Sequence, residues 1–339
     1  MFSIGIGKGT KNKQGSWLEA YYPCIWLNPA QSVVDAIEGL CDISAPQGTA
    51  ELSPSDLTKI IGQCEAGAND AIVLQTLIDA DQNALICWMQ TDGPIESTPA
   101  AYLKLHLLSK CLVRPNALNL DGIFAQLPNV AWTSDGAIDI AEIDEAVLSA
   151  RLSNQHLEIL SVDKFPKLTN YLIPPGVRIA DSARVRLGAY LGQGTTVMHE
   201  GFVNFNAGAE GPNMVEGRIS QGVFVAKGSD LGGSASTAGT LSGGGNEVLS
   251  IGEDCLISAN AGTGISLGDR CTIEAGLYIT PGTIIDVIDE DGQSVKTLKA
   301  RELSGHSDLL FIRHSQSGTV QCRTNRQAIE LNQTLHQHN

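Results

Sequence analysis

Ile179-Ala-Asp-Ser-Ala-Arg-Val185-Arg-Leu-Gly-Ala-Tyr-Leu191-Gly-Gln-Gly-Thr-Thr-Val197 carries an aliphatic residue at every sixth position. The series continues through Val203, Ala209 and Val215. There the phase slips by four residues, and the period resumes at Ile219, Val225 and Leu231. A glycine-rich interruption, Gly239-Thr-Leu-Ser-Gly-Gly-Gly-Asn246, breaks it again before Ile251 and Ile257. After one more slip the anchors are Leu267, Ile273, Ile279 and Ile285. A period of six matches neither the 3.6 residues of an α-helical turn nor the two-residue alternation of a hairpin array. It matches a solenoid in which each flat face takes about six residues and three faces close one coil. The anchor points into a narrow core, and the small residue often found four positions later lets the chain turn the corner. Ala189, Thr195, Gly201, Ala207, Ala235, Cys255, Ala261, Cys271 and Thr283 occupy such positions.

The composition agrees with thin layers. The chain has 339 residues, of which 36 are glycine and only 5% aromatic, and charged residues make up 17%. An average soluble domain carries roughly 25% charge. Pro174-Pro175-Gly176 marks the entry to the repeat, because two prolines continue neither a helix nor a central strand. The division read from these features is an N-terminal α/β domain over 1–170, a parallel β-helix over 171–285 and a short C-terminal segment over 286–339. In the first part, Ser16–Tyr22 and Ala84–Trp88 read as strands. Ser55–Ala66, Asn69–Ile78, Ala100–Leu112 and Ile138–Leu152 read as helices. Lys104, His106 and Lys110 fall on an otherwise apolar helix and read as its solvated edge.

Charge and cysteine usage narrow the function. A net charge of −15 argues against a nucleic-acid or anionic-membrane surface. No apolar run approaches the roughly 18 residues of a membrane span, and no secretory leader is visible. The eight cysteines contain no CxxC pair, so they read as reduced thiols of a cytoplasmic protein, with Cys255 and Cys271 as core filler. Between positions 296 and 326 the tail is locally cationic: Lys296, Lys299, Arg301, Arg313, Arg323 and Arg326 face only Glu302 and Asp308.

A hexapeptide solenoid does not fix a function. A metal hydratase needs several histidines on neighbouring rungs, and His199 alone lies in the repeat. A surface-binding scaffold needs a regular exposed column, which the slips interrupt. Acyl transfer from coenzyme A fits better, since grooves between packed prisms can hold a long pantetheine arm. The segment from His199 to Ser220 concentrates chemistry: Glu200, Glu216, Arg218, His199 and several amides. A carboxylate beside an arginine can deprotonate an attacking amine while the arginine pairs with a substrate carboxylate. A plain Glu–Arg pair bracing one coil is the competing reading. The runs Gly228–Ser236 and Leu241–Asn246 lack the Gly-Lys-Ser/Thr ending of a phosphate-binding loop.

The runs Val197-Met-His-Glu-Gly-Phe-Val-Asn-Phe-Asn-Ala-Gly208, Met214-Val-Glu-Gly-Arg-Ile-Ser220, Gly228-Ser-Asp230, Gly239-Thr-Leu-Ser-Gly-Gly-Gly245 and Ile273-Glu-Ala-Gly-Leu-Tyr278 resemble the tetrahydrodipicolinate N-succinyltransferases. The likeness is to their longer actinobacterial and pseudomonad form. Lys299-Ala-Arg-Glu-Leu-Ser-Gly305 and Leu309-Leu-Phe311 extend it into the tail. The resemblance implies a left-handed coil and a homotrimer with active sites between subunits. It implies succinyl transfer from succinyl-CoA, the co-substrate, to the amine of ring-opened tetrahydrodipicolinate, in lysine and diaminopimelate biosynthesis. Glu216 matches the catalytic glutamate, acting as a general base or through an acyl anhydride. Arg218, Gly233, Ser236, Gly239, Ala259, Glu274, Ala275, Gly282, Lys299, Ile312, Arg313, His314 and Ser315 match substrate- and coenzyme A-binding positions. Glu200 matches a glutamate that binds magnesium in some members. Four positions depart from the family. Ala183 stands where the second metal-binding residue is an aspartate, Ser234 replaces a glycine, and Thr237-Ala238 replace larger apolar residues. An acetyltransferase of the same fold and an inactive scaffold are the alternatives.

Overall fold

The computed structural model describes residues 1–63, 68–239 and 248–324. The described chain forms two compact units. One comprises Met1–Leu107 with Ala117–Pro166, and the other Leu108–Asn116 with the residues from Lys167 onward.

The first unit is built on β1 (Ser3–Lys11), β2 (Trp17–Leu27), β3 (Gln47–Leu52) and β4 (Ala84–Met89), in the antiparallel order β2-β1-β4-β3. Ile4, Ile6 and Ile86 on this sheet share a buried core with Val33 and Ile37 of α1 (Gln31–Glu38), Leu57 and Ile60 of α2 (Pro54–Gln63) and Leu74 of α3 (Ala68–Asp79). Next come α4 (Thr98–Ser109), α5 (Ile123–Gln126) and a small antiparallel sheet. Its strands are β5 (Val130–Thr133), β6 (Gly136–Asp139) and β7 (Ile159–Asp163), and α6 (Ile143–Leu152) lies between the last two. The expected helix over Ile138–Leu152 therefore starts later, because residues 136–139 pair with β5 instead. The expected helix ending at Ala66 runs past the described residues, which stop at Gln63.

Lys104 and His106 correct the reading of a solvated edge: both are fully buried. Burial is tolerable because their polar atoms are satisfied. Lys104 Nζ donates to Asp92 Oδ1 at 2.6 Å, Gly93 O at 2.7 Å and Asn119 O. His106 Nδ1 donates to Tyr102 O at 2.7 Å, while Nε2 accepts from Tyr22 N at 3.4 Å. That pairing specifies a neutral imidazole.

In the second unit the hexads become three stacks of parallel strands. Face A carries β8 (Arg178–Ile179), β10 (Thr195–Val197), β13 (Asn213–Val215), β16 (Asp230–Leu231), β19 (Leu256–Ile257) and β21 (Thr272–Ile273). Face B carries β11 (Phe202–Val203), β14 (Arg218–Ile219), β17 (Ser236–Thr237), β20 (Gly262–Thr263) and β22 (Tyr278–Ile279). Face C carries β9 (Ala189–Leu191), β12 (Ala207–Ala209), β15 (Phe224–Val225) and β18 (Ser250–Ile251). The anchors lie in register between coils, as Val197↔Val215↔Leu231↔Ile257↔Ile273 shows on face A. All five are buried in one continuous core. Fully burying a side chain of this size is worth about 1.5–3 kcal/mol, so the column of anchors dominates the stability of the coil.

The slip after Val215 has a structural cause. Four residues (198–201) connect β10 to β11, but only Glu216 and Gly217 connect β13 to β14. This shortened corner passes so close to the next coil that a Cβ on Gly217 would lie 2.5 Å from Ala235 O. Only glycine fits there.

After β22 the tail does not leave this unit. It forms β23 (Ile284–Ile288), β24 (Ser294–Lys299), β25 (Leu309–Arg313) and β26 (Val320–Thr324), which extend the sheet of face A in the order β24-β23-β26-β25-β21. Phe311 pairs beside Ile273 and is buried with Cys322 and Ala300 over the end of the core. The segment Leu108–Asn116 belongs to the same unit, held by Asn116 N donating to Asn206 Oδ1 at 2.7 Å and by the Arg114–Glu210 ion pair.

Candidate active site

Most of the residues singled out in the sequence gather around face B. The chain passes from face A to face B at 198–201, 216–217, 232–235, 258–261 and 274–277, so these turns stack as one edge of the coil. Glu200, Glu216, Gly233, Ala259, Glu274 and Ala275 all lie on that edge. Backbone bonds tie it together: Ser234 N to Glu216 O at 3.3 Å, Asn260 N to Gly233 O at 2.9 Å and Gly276 N to Ala259 O at 2.9 Å. At the top, Glu274 Oε2 accepts from Arg313 N at 2.7 Å, which places Ile312 and Arg313 above the same edge.

The carboxylates of Glu200 and Glu216 both approach Gly233. A Cβ built on Gly233 would lie 3.6 Å from an Oε2 of each, so the two oxygens are separated by no more than twice that distance. Gly233 leaves the space in front of them open. Beside the edge, the outer positions of face B run Phe202, Arg218, Ser236, Gly262 and Tyr278 in register. Arg218 is exposed and forms no ion pair with Glu216, so the pair is not bracing a coil. Its guanidinium is available to an anionic partner. Tyr278 lays its ring over Gly262, where a Cβ would come within 2.3 Å of it. The bare glycine and the flat ring together make a shallow strip beside Ser236.

The opposite edge of face B holds Gly239 and Gly282. A Cβ on Gly282 would meet nothing within 4 Å, so this position is open. Lys299 ends β24 opposite Ile284, two residues beyond Gly282, and is exposed. His314 and Ser315 lie in the turn between β25 and β26. There His314 Nδ1 pairs with Ser317 Oγ at 2.8 Å, and Arg313 Nη1 donates to Gly318 O at 3.1 Å. These polar groups shape the turn. The glycine-rich stretch after Gly239 falls at 240–247, and Arg326 in the tail; both lie outside the described residues.

The donors expected for magnesium do not assemble within one chain. Glu200 supplies one carboxylate, and its Oε2 accepts from Ser234 Oγ at 3.0 Å. Position 183 is alanine, and Asp181 instead accepts from Ala183 N at 3.0 Å as a helix cap. Arg184 Nη2 donates to the backbone carbonyl of Glu200 at 2.7 Å and adds no anionic donor. No cluster of three acidic, cysteine or histidine ligands exists among the described residues.

Cys255 and Cys271 stack on the edge between faces C and A as buried, free thiols. Cys255 Sγ donates to Gly268 O at 3.0 Å and Cys271 Sγ to His306 O at 3.2 Å. Their place is in the core, away from face B. The sequence reading overlooked Ser234 as a contact, noting it only as a replaced glycine. It also passed over Tyr278 as a surface residue, because an aromatic one position before an anchor gives no signal until the register of face B is known.

Comparison with known proteins places this arrangement. The family model described as the middle part of tetrahydrodipicolinate N-succinyltransferase matches residues 127–167, and that for the hexapeptide repeat of succinyl-transferase matches 248–281. The 2,3,4,5-tetrahydropyridine-2,6-dicarboxylate N-succinyltransferase of Pseudomonas paraeruginosa is 54% identical over 100% of this chain and 99% of its own. The Vibrio cholerae enzyme of the same name is 46% identical with the same coverage. A Campylobacter jejuni protein whose crystal structure carries the provisional name 2,3,4,5-tetrahydropyridine-2-carboxylate N-succinyltransferase superposes with a TM-score of 0.86 at 32% identity. That match covers 97% of this chain and 93% of the other. The three-faced coil is thus the left-handed β-helix of hexapeptide-repeat transferases, and the chain belongs to the tetrahydrodipicolinate N-succinyltransferase family.

Proposed function

We propose that the chain moves a succinyl group from succinyl-CoA to the amine of ring-opened tetrahydrodipicolinate, with Glu216 as general base. The observation that carries this reading is the convergence of the Glu216 and Glu200 carboxylates over Gly233, beside the exposed Arg218. The amine reaches the site as an ammonium ion and must lose a proton before it can attack. Glu216 accepts that proton. The nitrogen lone pair then adds to the thioester carbonyl, forming the C–N bond. Collapse of the tetrahedral adduct breaks the C–S bond, the leaving thiolate takes the proton held by Glu216 and departs as coenzyme A, and the nitrogen releases its second proton to solvent to become the neutral amide. Arg218 pairs with a carboxylate of the dicarboxylic acceptor, where a guanidinium offers two parallel donors. The donor lies along face B. Gly233, Ser236, Ala259, Glu274, Ala275 and Gly282 flank its arm there, while Lys299 and the stretch Ile312–Ser315 face its anionic end. No step runs through magnesium.

Hexapeptide coils of this kind work as oligomers, and we assign a homotrimer in which a neighbouring copy closes the groove over face B. The enzyme works in the cytoplasm, a reducing compartment that suits the free thiols found among the described residues. The test is a coenzyme A release assay with each substrate alone and both together. Release only when succinyl-CoA and acceptor are both present is expected, with Glu216→Ala lowering it at least about 100-fold, the range of general-base loss. Equal turnover with acetyl-CoA points to an acetyltransferase instead, and no turnover at all to a scaffold. A Glu216→Ala rate within a few-fold of the parent overturns the assignment of the base.

A further inference from the structure

We propose that Ser234 is a positioning residue: its hydroxyl holds the Glu200 carboxylate beside Glu216, where Glu200 receives the ammonium group of the acceptor. The inference rests on the reading of Glu216 as the base that deprotonates this amine.

The backbone at Ser234 is left-handed, with φ at +59°, and the equivalent corner residues of the next two coils, Asn260 and Gly276, are left-handed as well. Glycine and asparagine occupy such positions with little strain, whereas serine has no such tolerance. The corner itself therefore gives no reason for a serine. Its side chain does. Ser234 Oγ donates to Glu200 Oε2 at 3.0 Å, although Glu200 sits two coils away. The glutamate stretches along the edge, past the coil that carries Glu216, to make this bond. The other end of Glu200 is fixed too, since Arg184 Nη2 donates to its carbonyl at 2.7 Å and Arg184 Nε to Gly201 O at 3.3 Å. An exposed glutamate ordinarily keeps its rotamer freedom, and ordering it costs entropy. Here it is tethered at both ends with its carboxylate near the catalytic one. Two carboxylates converging on the open side of Gly233 suit one cationic amine: one binds it, and the other takes its proton.

The experiment is Ser234→Gly in the full-length protein, read by steady-state kinetics in both substrates and by thermal melting. The Michaelis constant for the acceptor should rise about three- to tenfold, the range of a partly solvated hydrogen bond to a charged group, with that for succinyl-CoA within twofold. The melting temperature should hold or rise, because glycine relieves the left-handed strain. A merely structural serine predicts the opposite sign on stability. In a Glu200→Ala background, Ser234→Gly should add nothing, since the two act as one unit. An unchanged acceptor constant, an equal loss in the Glu200→Ala background, or a melting temperature that falls with activity each overturns the proposal. If Glu216→Ala is inactive while Ser234→Gly is normal, only this inference fails. If Glu216→Ala stays active, the underlying reading fails.

Discussion

Gly217→Ala tests whether the shortened corner between Glu216 and Arg218 builds the site. The backbone at Gly217 is not left-handed, so alanine meets no torsional barrier there and the whole effect comes from contact. The added Cβ would lie 2.5 Å from Ala235 O and 2.9 Å from Ala235 C and Cβ. Ordinary contact is about 3.5 Å, so the two coils must part by about 1 Å. They are joined at this place by Arg218 N donating to Ala235 O at 2.7 Å, and stretching that bond by such an amount breaks it. Overpacking costs about 1–3 kcal/mol and the lost bond about 0.5–1.5 kcal/mol. Together that is about 1.5–4.5 kcal/mol, or about 3–18 °C in melting temperature for a cooperative unit of this size. The same displacement moves Glu216, and misplacing a catalytic group by about 1 Å costs about 100-fold in rate. Calorimetry and the coenzyme A release assay read both quantities. A variant melting within about 2 °C of the parent, with a rate within threefold, would show that the corner yields and that its tightness does not position the base.

Gly282→Ala is the matching control for face B. With nothing within 4 Å of the new methyl, stability should stay unchanged, while the Michaelis constant for succinyl-CoA rises if the donor lies against this edge. An unaltered constant would remove Gly282 from the donor path. Burial pushes the thiols of Cys87 and Cys322 up to about 12. Both should resist iodoacetamide in the native protein at pH 8 and react once unfolded, as peptide mass spectrometry would reveal; native labelling of either contradicts its burial. These groups bind protons more tightly when folded, so their contribution is complete below the ordinary thiol range near 9 and fades as pH rises toward 12. Arg270, through its hydrogen bonds and charge, holds the Asp308 carboxyl below its ordinary range. The sign is opposite here: the pair stabilises the tail above the ordinary carboxylate range and is lost as pH falls through the lowered value of Asp308. Asp308→Asn should flatten the acid limb of a pH–stability curve, and an unchanged limb would deny the pair that role.

Much of this protein is dictated locally. The hexads from Ile179 to Ile285 determine a three-faced coil by themselves, because an inward aliphatic residue every six positions has no other regular way to be buried. The run Glu216-Gly217-Arg218 stands out for the same reason: it breaks the period, and the break is a corner two residues shorter than its predecessor. What the sequence left open depends on which coil lies above which. Glu200 and Ser234 are 34 positions apart, and no local pattern links them; only the stacking of three coils brings hydroxyl and carboxylate to 3.0 Å. Phe311 likewise reads as part of a separate tail until pairing with Ile273 makes it the cover of the core. Lys104 and His106 look like a wet helix edge because their partners, Asp92, Asn119 and Tyr22, are set by tertiary packing and not by helical spacing. Periodicity determined the fold, since burial of apolar side chains acts along the chain. The three-dimensional structure decided the site, since hydrogen bonds between coils join residues that sequence distance keeps apart.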